Sequence, residues 1–143
     1  MTATSNLQER ATASVYHPGS PLPVLASRCF KTAIVFLLIG VLAGLHMSIT
    51  HDHAAHPAHA HINLLGWVTL ALFGAYYAFH PAKAASKLAG IQFAIYVVGC
   101  VVLFPSLYML VTGNASIEPV VAAGSMITFL GVILFAVIVF RED

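Results

Sequence analysis

The sequence predicts an all-α integral membrane protein, a bundle of four transmembrane helices with both termini on the cytoplasmic side. The first observation is composition: the 143 residues are 59% hydrophobic and only 8% charged, whereas soluble domains carry roughly 25% charged residues. The second is a set of four long apolar runs, and the third is the placement of the basic residues. The formal net charge of +1 gives no electrostatic basis for binding nucleic acid.

Two regions divide the chain. Residues 1–27 are polar and end in a proline-rich stretch, so they are expected to form a flexible cytoplasmic tail. Residues 28–143 are expected to form the four-helix domain. Each apolar run has about 20 residues, the length of helix that crosses a hydrocarbon core of about 30 Å. The spans are expected at about residues 30–50, 57–79, 88–111 and 120–140.

The basic residues predict the orientation of the spans. Cytoplasmic loops of membrane proteins carry an excess of lysine and arginine. Three of the six basic residues precede or open the first span, two separate the second span from the third, and one follows the fourth: Arg10, Arg28 and Lys31, then Lys83 and Lys87, then Arg141. The other two loops carry none. The loop that begins at His51 and the turn at 112–119 are therefore expected on the outer side.

Histidines are concentrated where the first outer loop meets the second span. Five of the eight lie within eleven residues, namely His51, His53, His56, His59 and His61. A sixth, His46, lies just upstream. Ionisable side chains at the edge of a membrane span are functional candidates. Neutral imidazole binds haem iron and transition metals. The sequence therefore predicts a haem or metal site at the outer end of the bundle.

Helix geometry divides these histidines into an inner and an outer set. His46 and His61 are expected about one turn inside the outer surface, on adjacent antiparallel helices. They form a candidate pair of axial haem ligands, provided that both side chains face the bundle. His59 is two residues from His61, which is about 200° of helical rotation, so the two cannot share one face.

The outer set is a candidate metal site. His56 and His59 are three residues apart and share a helical face. Together with His51 and His53, and with Asp52 as a further donor, they form a more exposed group. Copper and zinc both accept imidazole ligands.

One stretch of the second span resembles a known family. His61–Trp67 (HINLLGW) and Phe73–Tyr77 (FGAYY) resemble the second transmembrane helix of the large subunit of haem–copper oxidases, most of all the nitric oxide reductase branch. From the first span onward the chain also resembles small bacterial four-helix membrane proteins described as cytochrome c oxidase subunit I-like. In those proteins a histidine pair like His59 and His61 precedes the same run.

The resemblance implies a cofactor and its ligands. In the oxidase family the histidine that matches His61 is an axial ligand of low-spin haem b. The second ligand would come from His46, from His59 or from another copy of the chain, and Trp67 would line the macrocycle. The third and fourth spans contain no histidine, so the catalytic copper centre of the family does not carry over. The implied location is the bacterial inner membrane, with the histidine-rich loop on the periplasmic side.

These observations predict a haem b protein that transfers electrons from a respiratory donor or interacts with nitric oxide or oxygen. If the protein is an enzyme, it is an oxidoreductase. Four short helices enclose little room for a haem, so a homo-oligomer in the lipid bilayer is expected, with the Gly40–Gly44 face or the histidine-bearing helices between copies. Two alternatives remain: a copper- or zinc-binding membrane protein that uses the outer histidines, and an accessory subunit of a respiratory complex.

Overall fold

The computed structural model describes residues 21–141, and four long helices account for most of them. We number them α1 (Val24–Thr50), α2 (His56–Phe79), α3 (Lys87–Val111) and α4 (Glu118–Phe140). All four are long and apolar enough to cross a membrane. No strand occurs between residues 21 and 141. The predicted all-α class and the four apolar helices are confirmed.

Helix boundaries follow the sequence signals with one difference. The helix α1 begins at Val24, directly after Pro23 and before the expected start at residue 30. Hydropathy marks only the apolar part of a helix, whereas its hydrogen bonds continue into polar flanks. Pro57 lies in the first turn of α2, as expected, and Pro119 in the first turn of α4. Of the expected tail, residues 1–20 lie outside the described part of the chain.

The helices pack as two hairpins joined along α2. The helix α1 packs on α2, and α3 packs closely on α4. Glycines allow the second contact: a Cβ at Gly99 would lie 2.5 Å from the backbone nitrogen of Thr128, and one at Gly124 would lie 2.8 Å from that of Leu103. Small residues of this kind let helix backbones approach closely. The backbones of α3 and α4 are thus in direct contact at these glycines.

A buried polar chain connects α2, α3 and α4. The Tyr77 hydroxyl donates to Oε1 of Gln92 at 3.0 Å, and Nε2 of Gln92 donates to the carbonyl of Gly131 at 3.2 Å. Tyr77 and Gln92 are fully buried. Because a buried polar atom without a partner is costly, each of these groups is stabilised by the others.

The helix α2 changes its hydrogen-bond pattern midway. It is α-helical over His56–His61, π-helical over Ile62–Thr69 and α-helical again over Leu70–Phe79. The Thr69 hydroxyl donates to the carbonyl of Leu64 at 2.8 Å, and the Tyr96 hydroxyl of α3 donates to that of Leu65 at 3.0 Å. A π-helical turn adds residues relative to an α-helix. The histidines at the start of α2 are therefore rotated relative to its second half.

Candidate functional site

His59 points from α2 toward α1. Its Nδ1 lies 2.9 Å from the carbonyl oxygen of Gly40. Because a carbonyl only accepts hydrogen bonds, Nδ1 is the donor and carries the proton. A Cβ added at Gly44 would lie 2.9 Å from Cε1 of this ring. Only a glycine leaves room for the imidazole at this point of α1.

Asn63 extends the same contact by one turn. Its Nδ2 donates to the backbone carbonyl of His59 at 3.0 Å and lies 3.4 Å from each ring nitrogen of that residue. A Cβ at Gly40 would lie 2.6 Å from the Asn63 side chain. The Gly40–Gly44 face is therefore filled within the chain. This face is one of the two surfaces that the sequence predicts between copies.

His61 faces away from α1. Its Nδ1 lies 2.8 Å from the carbonyl oxygen of Pro57 and is again the donor, so the lone pair of the neutral ring is on Nε2. Histidines that bind metals commonly donate their other nitrogen to a carbonyl in this way, which fixes the tautomer and the ring orientation. The side chain is exposed. It has the protonation pattern that an axial ligand needs.

A groove of about 270 Å³ lies beside His61. Residues of α2, α3 and α4 form its walls: Leu65, Leu103, Ser125, Thr128, Phe129 and Val132. The walls are mainly apolar, with the Ser125 and Thr128 hydroxyls already donating to carbonyls of their own helix. His61 is thus the residue that lines this groove with an open ring nitrogen, the kind of donor that transition metals bind.

His46 does not join His61. It is exposed on α1, and its backbone carbonyl accepts a hydrogen bond from the Thr50 hydroxyl at 2.8 Å. Neither a hydrogen bond nor a ring contact connects the side chains of His46 and His61. The condition for the candidate axial pair, that both side chains face the bundle, is not met. His59 and His61 point to opposite sides of α2, as helical geometry predicted.

The outer histidines are only partly assembled. The rings of His56 and His59 have centroids 6.5 Å apart, so the predicted shared face is present. His51 and His53 are exposed in the loop before α2. Among residues 21–141, no group of three or more His, Cys, Asp or Glu side chains is arranged to hold a metal ion. Asp52 uses Oδ1 to accept a hydrogen bond from the backbone of Ala54 at 2.9 Å.

Two further side chains lie away from the groove. Trp67 is partly buried against the hydrophobic core and does not line the groove beside His61. His80 lies at the other end of α2, where its ring stacks on Tyr76 with centroids 4.1 Å apart and its Nδ1 donates to the carbonyl of that residue.

Asn63 was missed by sequence reasoning, although an amide inside an apolar run, four residues after His59, is a recognisable signal.

A larger cleft of about 470 Å³ opens between α1 and α3, with Ile62 of α2 among its residues. Its walls are apolar and include Phe36, Phe104 and Met109. It contains no histidine. The imidazole of His61 is a suitable ligand for haem iron, but the groove beside it is small. Of the two spaces, only the smaller groove is lined by a histidine.

Comparison with models of protein families, with characterised proteins and with solved structures found no match to this chain.

Proposed function

We propose that this protein is a haem b-binding integral membrane protein in which His61 is an axial ligand. The observation that carries the proposal is the orientation of this ring, with Nδ1 donating to the Pro57 carbonyl at 2.8 Å and Nε2 open beside an apolar groove. The run HINLLGW, which resembles the haem-bearing helix of haem–copper oxidases, supports the same assignment.

The residues around His61 have separate roles in this proposal. The carbonyl of Pro57 holds the ring and raises its basicity as a ligand. Leu65 and Phe129 exclude water, which affects the redox potential of a bound iron. The haem would supply a reversible one-electron change at iron. If a second imidazole joined His61 in holding the haem, no position would be left for a substrate, and the protein would serve electron transfer between respiratory partners.

The proposal includes an orientation in a bacterial inner membrane. Lys83, in the connection that follows α2, and Arg141, directly after α4, lie together, because Nζ of Lys83 donates to the carbonyl of Arg141 at 2.9 Å. Under the positive-inside rule this end is cytoplasmic and the His61 end periplasmic. A cysteine placed at Ala54 should react with a membrane-impermeant thiol reagent in intact spheroplasts, and one placed at Ser86 should not. The reverse pattern would overturn the orientation.

The visible spectrum tests haem binding. Protein purified from haem-replete cells should show a Soret band and, after reduction with dithionite, sharp α and β bands. His61→Ala should lose at least nine-tenths of the bound haem, whereas His46→Ala, which removes an exposed histidine of α1, should keep it. Unchanged haem in His61→Ala, or wild-type protein without Soret absorbance, would contradict the proposal.

A second candidate function is supported by the His56–His59 ring contact at 6.5 Å. In this function the outer histidines bind copper or zinc for uptake or delivery. Loss of a group that merely supports a ligand lowers metal affinity about 10- to 100-fold, so His56→Ala should lower it by at least about tenfold. Elemental analysis separates the two functions, since stoichiometric copper or zinc without iron would favour the second.

A further inference from the structure

The position of His61 raises the question of what covers it. Ionisable side chains within membrane spans almost always face the bundle interior or a water-filled cavity. His61 is instead exposed, and its groove opens on the outside of the bundle. Within a membrane an imidazole acceptor without a partner is unfavourable. A molecule outside this chain would give the open nitrogen of His61 a partner.

The other described histidines do not reach the groove. His59 faces α1, with Nδ1 on the Gly40 carbonyl. His46 is exposed on α1, and His80 lies nineteen residues along α2 from His61, about 28 Å away at the rise of an α-helix. His56 lies beside His59, whereas His51 and His53 are exposed in the outer loop. The helices α3 and α4, which form the other walls, contain no histidine. His17 lies outside the described residues.

The surface around the groove suits a second copy of the same chain. The helix α4 carries no charged side chain between Glu118 and Arg141, so no charge would have to be buried. Met126 and Phe129, on its outer face, are 73% and 64% exposed. In a twofold contact the same patch meets itself. Two grooves, each with one His61, would then face each other.

We infer that two copies of this chain join through the α2–α4 groove and share one haem, with His61 of each copy as an axial ligand. This inference rests on the proposed haem binding. Each chain supplies half of the site, namely one imidazole with an open Nε2 and one mainly apolar groove of about 270 Å³. One chain alone leaves the site incomplete.

Haem content and mass test the inference together. The wild-type protein, saturated with haem in lipid nanodiscs or mild detergent, is measured for haem per chain and for complex mass by native mass spectrometry. The expected result is one haem per two chains, with a low-spin spectrum that does not change under carbon monoxide. One haem per chain in a monomer would overturn the sharing and leave the proposed function intact. Absence of haem would overturn the proposed function itself.

Two variants test the location. Ser125→Trp fills the groove at an exposed position of α4, and it should lower dimer content and haem per chain at least tenfold while helix content by circular dichroism stays unchanged. Ser48→Trp makes the same change at an exposed position of α1 and should change neither. The variant with both His17→Ala and His46→Ala should also keep one haem per two chains. A dimer of Ser125→Trp with its haem retained, or haem lost from the double variant, would overturn the assignment.

Discussion

At the scale of single residues, the two neighbouring histidines His59 and His61 differ in what they contact. Both donate through Nδ1 to a backbone carbonyl, but His59 donates to another helix and His61 to its own. The first interaction connects α1 to α2, which makes His59 a structural residue. The second leaves Nε2 of His61 open. Of two histidines two positions apart, one thus packs against a neighbouring helix, and the other keeps a ring nitrogen open.

The contact of His59 with α1 depends on Gly44. In Gly44→Ala the new Cβ would lie 2.9 Å from Cε1 of His59, so the ring must shift away from the Gly40 carbonyl. Overpacking of this kind lowers stability by about 1–3 kcal/mol. Gly90→Ala is the matched control, because a Cβ there meets nothing within 4 Å and alanine favours a helix over glycine by about 1 kcal/mol. Unfolding in mixed micelles measures both, and equal stability of the two variants would contradict the packing role.

The sequence predicted part of this site. The spacing of these histidines predicted that His56 and His59 share a face, and their ring centroids lie 6.5 Å apart. The spacing did not predict which face meets α1, because these helices are apolar nearly all round and helical phase carries no directional signal. The direction is set by Asn63 opposite Gly40 and by the space that Gly44 leaves for His59.

At the scale of the element, the π-helical segment of α2 determines the rotation of its histidine-bearing end. Its unusual pattern is supported from outside, since the Tyr96 hydroxyl donates to the Leu65 carbonyl from α3. The local sequence Ile62–Thr69 contains no proline and no pair of small residues that would predict a change of helix type. The partner lies 31 positions away. A local sequence pattern cannot predict a conformation that depends on so distant a donor.

Removal of this donor should weaken α2 locally. Tyr96→Phe keeps the buried ring and removes the hydroxyl, and interhelical hydrogen bonds in membrane proteins contribute about 0.6 kcal/mol on average, up to about 1.7 kcal/mol. The expected loss of stability lies in that range. Amide hydrogen exchange between residues 62 and 69 should become faster. Tyr108→Phe changes a tyrosine that is 47% exposed and should alter neither quantity. Equal exchange in both variants would show that Tyr96 does not hold the segment.

At the scale of the whole molecule, the two hairpins are joined by a small number of specific contacts. The ring of Phe73 on α2 stacks on Phe135 of α4 with centroids 4.0 Å apart, and the chain from Tyr77 through Gln92 to the Gly131 carbonyl lies beside it. The larger cleft remains on the other side, between α1 and α3. The bundle is therefore close-packed around α3 and α4 and looser at α1.

The buried hydrogen bond between Tyr77 and Gln92 tests how the hairpins are joined. Gln92→Leu leaves the Tyr77 hydroxyl without its acceptor, and an unsatisfied buried group costs about 1–3 kcal/mol. Tyr77→Phe removes that hydroxyl. Because the two residues share a hydrogen bond of 3.0 Å, the double variant should lose less stability than the sum of the single variants, with a coupling of about 0.5–3 kcal/mol. A double-mutant cycle measured by unfolding in mixed micelles provides this number. Strict additivity would mean that this hydrogen bond contributes nothing to joining the hairpins, and that other contacts between them, such as Phe73 with Phe135 and Tyr96 with the Leu65 carbonyl, hold them together.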